Sequence, residues 1–108
     1  MVYSIEQIRE LVSPVAKKHN IKSVFLFGSY ARGTATEGSD IDLIIDTSGT
    51  EIKSLLHLAV IQDELETVFG KSIDLITQHS LEQPPQIPSE LSFRSRVKDE
   101  KVMLYIST

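Results

Sequence analysis

Residues 24–46 (VFLFGSYARGTATEGSDIDLIID) constrain the fold of this 108-residue chain more than any other stretch. The apolar run Val24–Phe27 predicts a short buried β-strand, and Gly28-Ser29 breaks that run sharply. A polar connection punctuated by glycine follows. A second predicted strand then opens with Asp40-Ile41-Asp42 and continues as an apolar run. The stretch therefore predicts two strands joined by a polar connection that begins with a sharp turn.

The start of the second strand carries paired carboxylates. Residues two apart on a strand point to the same face, so Asp40 and Asp42 should aim at one place while Ile41 faces the opposite way. Like charges held so close repel each other unless a cation lies between them, and oxygen ligands suit Mg²⁺. The Gly28-Ser29 turn at the end of the first strand is suited to hold phosphate with backbone amides. A metal site beside a phosphate site indicates nucleotide chemistry.

These motifs resemble the signature of the DNA polymerase beta-like nucleotidyltransferase superfamily. The resemblance rests on Gly28-Ser29, ten intervening residues, and then Asp40-Ile41-Asp42 between apolar residues. The chain length and the flanking sequence look like those of its smallest members, the minimal nucleotidyltransferases. The resemblance implies a third carboxylate on a later strand, which Asp74 supplies within the apolar run 72–76. The closing run Val102–Tyr105 looks like the family's last strand, so the resemblance covers nearly the whole chain.

The resemblance also implies a role for each site residue. Asp40 and Asp42 would bridge two Mg²⁺ ions, and Asp74 would complete the metal site near the attacking hydroxyl and accept its proton. Gly28-Ser29 would hold the triphosphate of ATP. Arg32 is a candidate phosphate clamp because its planar guanidinium suits phosphate, although a surface role fits it equally well.

One position departs from the family pattern. Many relatives carry a basic residue immediately after Gly-Ser, whereas this chain has Tyr30. The departure predicts the loss of one phosphate contact and leaves the metal ligands untouched.

The rest of the chain predicts an α/β (α+β) fold in a single domain over residues 1–108. Helices are predicted after the capping box Ser4–Gln7, at Tyr30–Gly33, between Glu51 and Phe69, and from about Glu90 to Asp99. Strands are predicted at Ser72–Thr77 and Lys101–Ile106, and a loop at Gln78–Ser89. In the first helix, Pro14 should either restart the helix or kink it. The long helix should bury an apolar side made of Ile52, Leu55, Leu56, Ala59, Leu65, Val68 and Phe69. This order suits a small mixed β-sheet with helices packed on one face. By resemblance, this is the nucleotidyltransferase palm, with the other face left as an open cleft.

Composition limits the environment and the partners. The chain has no cysteine, no stretch that reads as a signal peptide and no apolar run as long as a membrane span, so we expect a cytoplasmic protein. Its net charge of −4 argues against direct binding to nucleic acid. No two of the three histidines, His19, His57 and His79, show ligand spacing, and we expect surface roles for them.

Three functions fit these features. The first is transfer of AMP from ATP to a hydroxyl on another polypeptide, because the chain offers no second domain to bind an acceptor. The resemblance implies that this polypeptide is a HEPN-domain ribonuclease toxin modified on tyrosine, which makes the chain its antitoxin. The alternatives are an inactive module that neutralises a partner by contact, and a stand-alone small-molecule or RNA nucleotidyltransferase. For a partner, the predicted docking surface is Pro84–Pro88 with the helix carrying Arg94 and Arg96.

Overall fold

Helices and strands alternate along the chain, as the sequence predicts, although the fourth helix occupies residues that were predicted as a loop. The computed structural model describes residues 2–50, 54–82 and 99–107. The elements are α1 (Ile5–Lys18), β1 (Ser23–Phe27), α2 (Gly28–Arg32), β2 (Ile41–Asp46), α3 (Leu55–Phe69), β3 (Ile73–Thr77), α4 (Gln78–Glu82) and β4 (Val102–Ile106). Within the described ranges, no helix is both long enough and apolar enough to cross a bilayer.

The four strands form one mixed sheet in the order β3-β2-β1-β4. β1 lies antiparallel to both β2 and β4, whereas β2 and β3 run parallel. Two features of the register matter for function. Asp42 lies opposite Asp74 across the parallel pair, and Phe27 lies opposite Asp42 across the antiparallel pair. The predicted small mixed sheet is confirmed.

The main hydrophobic core lies between one face of the sheet and the helices α1 and α3. Alternate residues of β2 point into it, because side chains of a strand alternate between the two faces. The core joins β2 and its neighbouring strands to the buried sides of both helices through Ile8, Val12, Val24, Leu26, Ile41, Leu43, Ile45, Ile61, Leu65, Phe69 and Ile73. A second, smaller cluster contains the buried residues Phe27 and Ile44.

Local sequence signals set the ends of α1. Ser4 accepts a hydrogen bond from the Gln7 backbone, and the Gln7 side chain accepts one from the Ser4 backbone, which confirms the predicted capping box. The helix continues through Pro14, where the sequence allowed either a restart or a kink. It ends before Asn20, whose positive φ of 56° is the left-handed conformation that Asn tolerates well.

α3 buries a different face from the one that its sequence suggests. It begins at Leu55 with Ser54 as N-cap; residues 51–53 of the predicted helix lie outside the described residues. The side chains of Leu55 and Leu56 are 84% and 76% exposed. Placing Leu55, Leu56, Ala59 and Val68 on the core side was therefore wrong. The predicted burial of Leu65 and Phe69 is confirmed, and Ile61, which the prediction left out, is buried with them, since four-residue steps keep these side chains on one stripe.

In the C-terminal residues that the structure describes, one segment differs from the sequence prediction. Residues 78–82 form α4 and not a loop, and α4 contacts β2 and β3. The predicted helix from about Glu90 to Asp99 lies outside the described residues except for Asp99. The proposed docking residues Pro84–Pro88, Arg94 and Arg96 lie outside them as well. β4 begins at Val102, one residue later than predicted.

Candidate active site

Two of the predicted carboxylates meet because of the parallel pairing between β2 and β3. Asp42 and Asp74 are register partners, and both side chains point away from the main core, since their sequence neighbours point into it. They line a cavity of about 470 Å³ whose walls also include Phe27, Gln62 and Ile76. The pair therefore combines charged groups with partly apolar walls, an arrangement common in ligand sites.

Gly28 leaves the space that the Asp42 carboxylate occupies. It directly follows Phe27, the β1 residue opposite Asp42, so its backbone lies against that carboxyl group. A methyl group at this position would overlap the Asp42 carboxylate oxygen. The backbone of Gly28 also has a φ of +75°, which residues with a side chain rarely adopt. Both the positive φ and the contact with Asp42 favour glycine at this position.

The pKa of Asp42 is raised from an ordinary 3.8 to about 6. Partial burial is the largest cause, followed by a hydrogen bond with the Asp74 side chain and by the negative charges of Asp74 and Asp40. The positive charge of Arg32 acts in the opposite direction. Repulsion between carboxylates that share a site is what a bound cation would relieve.

Asp40 is placed differently from the other two aspartates. It precedes the first residue of β2, is exposed, and lines a neighbouring cavity of about 360 Å³ together with Ser39 and Lys71. Across the described parts of the chain, no three His, Cys, Asp or Glu side chains are arranged to hold a metal ion. The structure thus joins Asp42 with Asp74 and leaves Asp40 beside them, near enough for its charge to act on Asp42. The donor chemistry suits Mg²⁺, since all three groups are carboxylates.

α2 carries the predicted phosphate residues. It begins at Gly28, two residues earlier than the sequence suggests, and places Ser29 in its first turn and Arg32 at its end. The Arg32 guanidinium is about half exposed, and its Nη1 atom donates to Oε2 of Glu100 at 3.0 Å. One carboxylate contact leaves other N–H groups of the guanidinium available to a ligand.

Tyr30 faces the core and not the phosphate side. Its ring is 4% exposed and belongs to the main hydrophobic core, and the Lys71 ammonium lies 5.9 Å from the ring centroid. The side chain is buried because the first turn of α2 points it inward. The loss of one phosphate contact relative to other family members stays a prediction.

Sequence reasoning missed a histidine contact between α1 and α3. The ring nitrogens His19 Nδ1 and His57 Nε2 are 3.2 Å apart, and His19 Nε2 lies 3.2 Å from Oε1 of Glu64. The side chain of His19 is only 11% exposed, so a purely surface role was wrong for it. No spacing along the chain signals this contact, because residues 19 and 57 meet only through helix packing.

The sequence profile of the nucleotidyltransferase domain family matches residues 8–104. The chain therefore belongs to that family. It is 41% identical over 78 residues to MJ0435 of Methanocaldococcus jannaschii, covering 72% of this chain and 82% of that protein. It is 33% identical over 82 residues to a Thermococcus cleftensis relative named protein adenylyltransferase MntA, covering 72% of this chain and 81% of the relative.

Solved structures share the fold. A crystal structure of a toxin-antitoxin with AMP-PNP superimposes with a TM-score of 0.70 at 18% identity, covering 93% of this chain and 74% of the matched chain. A structure of a tri-AMPylated Shewanella oneidensis HEPN toxin in complex with its MNT antitoxin gives a TM-score of 0.64 at 14% identity, covering 95% and 73%. At such identities, these likenesses show the fold alone.

Proposed function

We propose that this chain is a Mg²⁺-dependent protein adenylyltransferase that modifies a partner HEPN-type ribonuclease toxin on a tyrosine hydroxyl, with ATP as the AMP donor. It would thereby act as the antitoxin of that partner. The relative named protein adenylyltransferase MntA supports the reaction type. The structural neighbours described as toxin-antitoxin complexes, one with AMP-PNP and one with an AMPylated toxin, support the nucleotide and the partner.

The observation that carries the proposal is the pairing of Asp42 with Asp74 against Gly28. The register aligns the two carboxylates, and the missing side chain of Gly28 leaves room for one of them. Such an arrangement is costly for an empty protein, since burial and mutual repulsion raise the pKa of Asp42. Mg²⁺ bound by Asp42, Asp74 and Asp40 would neutralise charge that develops on the reacting phosphate.

The chain's own groups then have defined tasks. The acceptor oxygen attacks the α-phosphorus of ATP, the bond from that phosphorus to the oxygen bridging the α- and β-phosphates breaks, and pyrophosphate leaves with that oxygen. Asp74 takes the proton of the acceptor hydroxyl on its carboxylate. The Ser29 hydroxyl and the first backbone amides of α2 bind the departing phosphates, and the free N–H groups of Arg32 bind the same oxygens. Positioning and electrostatics of this kind supply most of the rate in phosphoryl and nucleotidyl transfer.

The modification would silence a ribonuclease by charge and bulk. An added AMP brings a negative phosphate and a nucleoside onto the partner's tyrosine. A negative group near an RNA-binding site repels the RNA backbone. The same reaction thus links catalysis to the antitoxin role.

Intact-mass spectrometry of the partner tests the proposal. The HEPN-type protein is incubated with ATP, Mg²⁺ and either wild-type protein, Asp42→Asn or Asp46→Asn. Asp46 is a matched control, because it lies on the same face of β2 at the far end and serves a turn by accepting from the Ser48 backbone. We expect AMP-sized increments with wild type and Asp46→Asn and none with Asp42→Asn.

The other outcomes separate the alternatives. A partner that stays unmodified but is inhibited by wild type and by Asp42→Asn alike would favour the binding module. Transfer to a small molecule or RNA, with no transfer to the partner, would favour the stand-alone enzyme.

We further propose that residues 1–108 act as a single domain, in the cytoplasm and without direct binding to nucleic acid.

A further inference from the structure

We propose that Gln62 and Glu66 are positioning residues, which hold Asp74 in register with Asp42 by bonding both polar groups of the Ile73 backbone. The inference rests on the role of Asp74 in the proposed function and extends it to two α3 side chains.

Among the strands that the structure describes, β3 lies at an edge of the sheet, and edge strands leave one row of backbone groups without a strand partner. At the start of β3, the Ser72 carbonyl accepts from the Ile41 backbone of β2. Neighbouring residues of a strand turn their N–H and C=O groups to opposite edges. The backbone of Ile73 therefore points outward, away from β2, one residue before Asp74.

Both outward groups of Ile73 are satisfied by one helix. Gln62 Nε2 donates to the Ile73 carbonyl at 2.9 Å, and the Ile73 N–H donates to Oε2 of Glu66 at 3.1 Å. Residues four apart on a helix lie on the same face, so α3 presents a donor and an acceptor side by side. Together the two contacts clamp the strand that carries Asp74.

The clamp lies at the catalytic cavity. Gln62 lines the same cavity as Asp42 and Asp74, and the Ile73 side chain is anchored in the main core. The backbone of residue 73 is therefore fixed on its side-chain face by packing and at its outer edge by hydrogen bonds. The position of Asp74 depends on this backbone, because a strand residue takes its direction from the peptide before it.

The chemistry of the two contacts predicts an asymmetric response to substitution. Glu66 acts as an acceptor, so glutamine at this position retains the contact through its carbonyl oxygen. Gln62 acts as a donor, so a methionine of similar length removes the contact while filling the same space. Glu66→Met removes the acceptor in the same way. Asp63→Asn, an exposed position on α3, is the control.

Mn²⁺ binding to the full chain is the first measurement, since Mn²⁺ accepts the oxygen ligands that suit Mg²⁺. Loss of a group that orients a metal ligand typically weakens metal affinity 10- to 100-fold. We expect Gln62→Met and Glu66→Met to weaken Mn²⁺ binding roughly 10-fold, Glu66→Gln to stay within about threefold of wild type, and Asp63→Asn to bind as wild type does. In an Asp74→Asn background, Gln62→Met should have no further effect, because the residue that it positions is gone.

Two further readouts separate positioning from a general loss of stability. Amide hydrogen exchange at Ile73 should accelerate in Glu66→Met while exchange at Leu26 and Ile44 stays slow. In transfer to the partner, kcat should fall about as much as Mn²⁺ affinity while KM for ATP changes little, because the α2 side of the site is untouched. If Gln62→Met does not fold, Gln62→Asn, which is one methylene shorter, removes the same contact.

Three outcomes would contradict the positioning role or the proposed function. Wild-type Mn²⁺ affinity in both methionine variants, with faster exchange at Ile73, would overturn the positioning role and leave the proposed function standing. A lower melting temperature with unchanged Mn²⁺ affinity would do the same. Failure of the wild-type protein to bind Mn²⁺ would overturn the proposed metal-dependent function, and this inference with it.

Discussion

The six residues of β2 contribute to the hydrophobic core on one face and to the candidate active site on the other. On one face, Ile41, Leu43 and Ile45 are fully buried against α1 and α3. On the other, Asp42 shares a cavity with Asp74, and burial with repulsion raises its pKa to about 6. The first face lowers the free energy of the folded state. On the second, Ile44 is also fully buried, but Asp42 raises the free energy because its charge is held where chemistry needs it. Natural proteins depart from stability rules mainly at such sites.

The largest expected effect comes from a substitution on the face of β2 that packs against α1 and α3. Leu43→Ala removes a fully buried side chain, so we expect a loss of about 3 kcal/mol in the free energy of unfolding from lost burial and the cavity left behind. Urea denaturation measures it. Val60→Ala, at a half-exposed position on α3, should change stability by less than about 0.5 kcal/mol. A loss below about 1 kcal/mol in Leu43→Ala would contradict the assignment of this face as the stabilising one.

The next effect concerns the contact between Gly28, at the end of β1, and Asp42, on the face of β2 that carries the carboxylate (the acidic face). Gly28→Ala places a methyl group onto the Asp42 carboxylate at a positive φ, and we expect about 2–3 kcal/mol of destabilisation together with loss of adenylyl transfer. Gly33→Ala is the matched control, because Gly33 has a φ of +79° and nothing within 4 Å of an added Cβ. It should cost only the backbone strain, about 1 kcal/mol. Equal losses in the two variants would show that contact with Asp42 is unimportant.

The acidic face should also make stability depend on pH. The pKa of Asp42 is about 6 in the folded protein and near 3.8 when unfolded, so the folded state binds more protons between these values. Stability without metal should therefore fall as pH rises through this window. Asp42→Asn should remove that slope and stabilise the protein at pH 7 by about 1 kcal/mol, below the full linkage value because water screens the open site. Thermal unfolding of both proteins from pH 4 to 8 measures this, and an unchanged slope in Asp42→Asn would contradict it.

The smallest effect concerns the phosphate side. Ser29→Ala removes one hydroxyl contact and leaves the amides of α2 in place, so ATP affinity should fall by roughly 1 kcal/mol or less. Affinity for Mn²⁺ alone should not change, since the carboxylates are untouched. Calorimetric titration with ATP and with Mn²⁺ compares the two ligands. An unchanged ATP affinity would show that Ser29 does not contact the nucleotide.

Several of these features could be predicted from local sequence alone. The capping box at Ser4 fixes the start of α1, because its hydrogen bonds join residues three apart. The alternation in β2 separates Asp42 from its apolar neighbours, because strand periodicity is a property of the backbone. The turn at Gly28-Ser29 could be predicted because these residues interrupt the apolar run of β1. Local patterns named Gly28, Ser29, Asp40 and Asp42 as candidate site residues, whereas Asp74 was named through the family resemblance.

Long-range packing decided the rest. The sequence indicated that Asp74 should join Asp42 only through family resemblance, whereas the parallel register between β2 and β3 brings the two together. The buried face of α3 could not be predicted from its composition, because Leu55 and Leu56 are as apolar as the residues that face the core. In the sequence, Gln62 and Glu66 are typical of a solvent-facing helix surface, and only the packing of α3 beside β3 shows that they bond the Ile73 backbone. Local signals determine which residues alternate, cap and turn, and only tertiary structure determines which distant residues meet, because contacts between strands and helices depend on the packing of the whole chain.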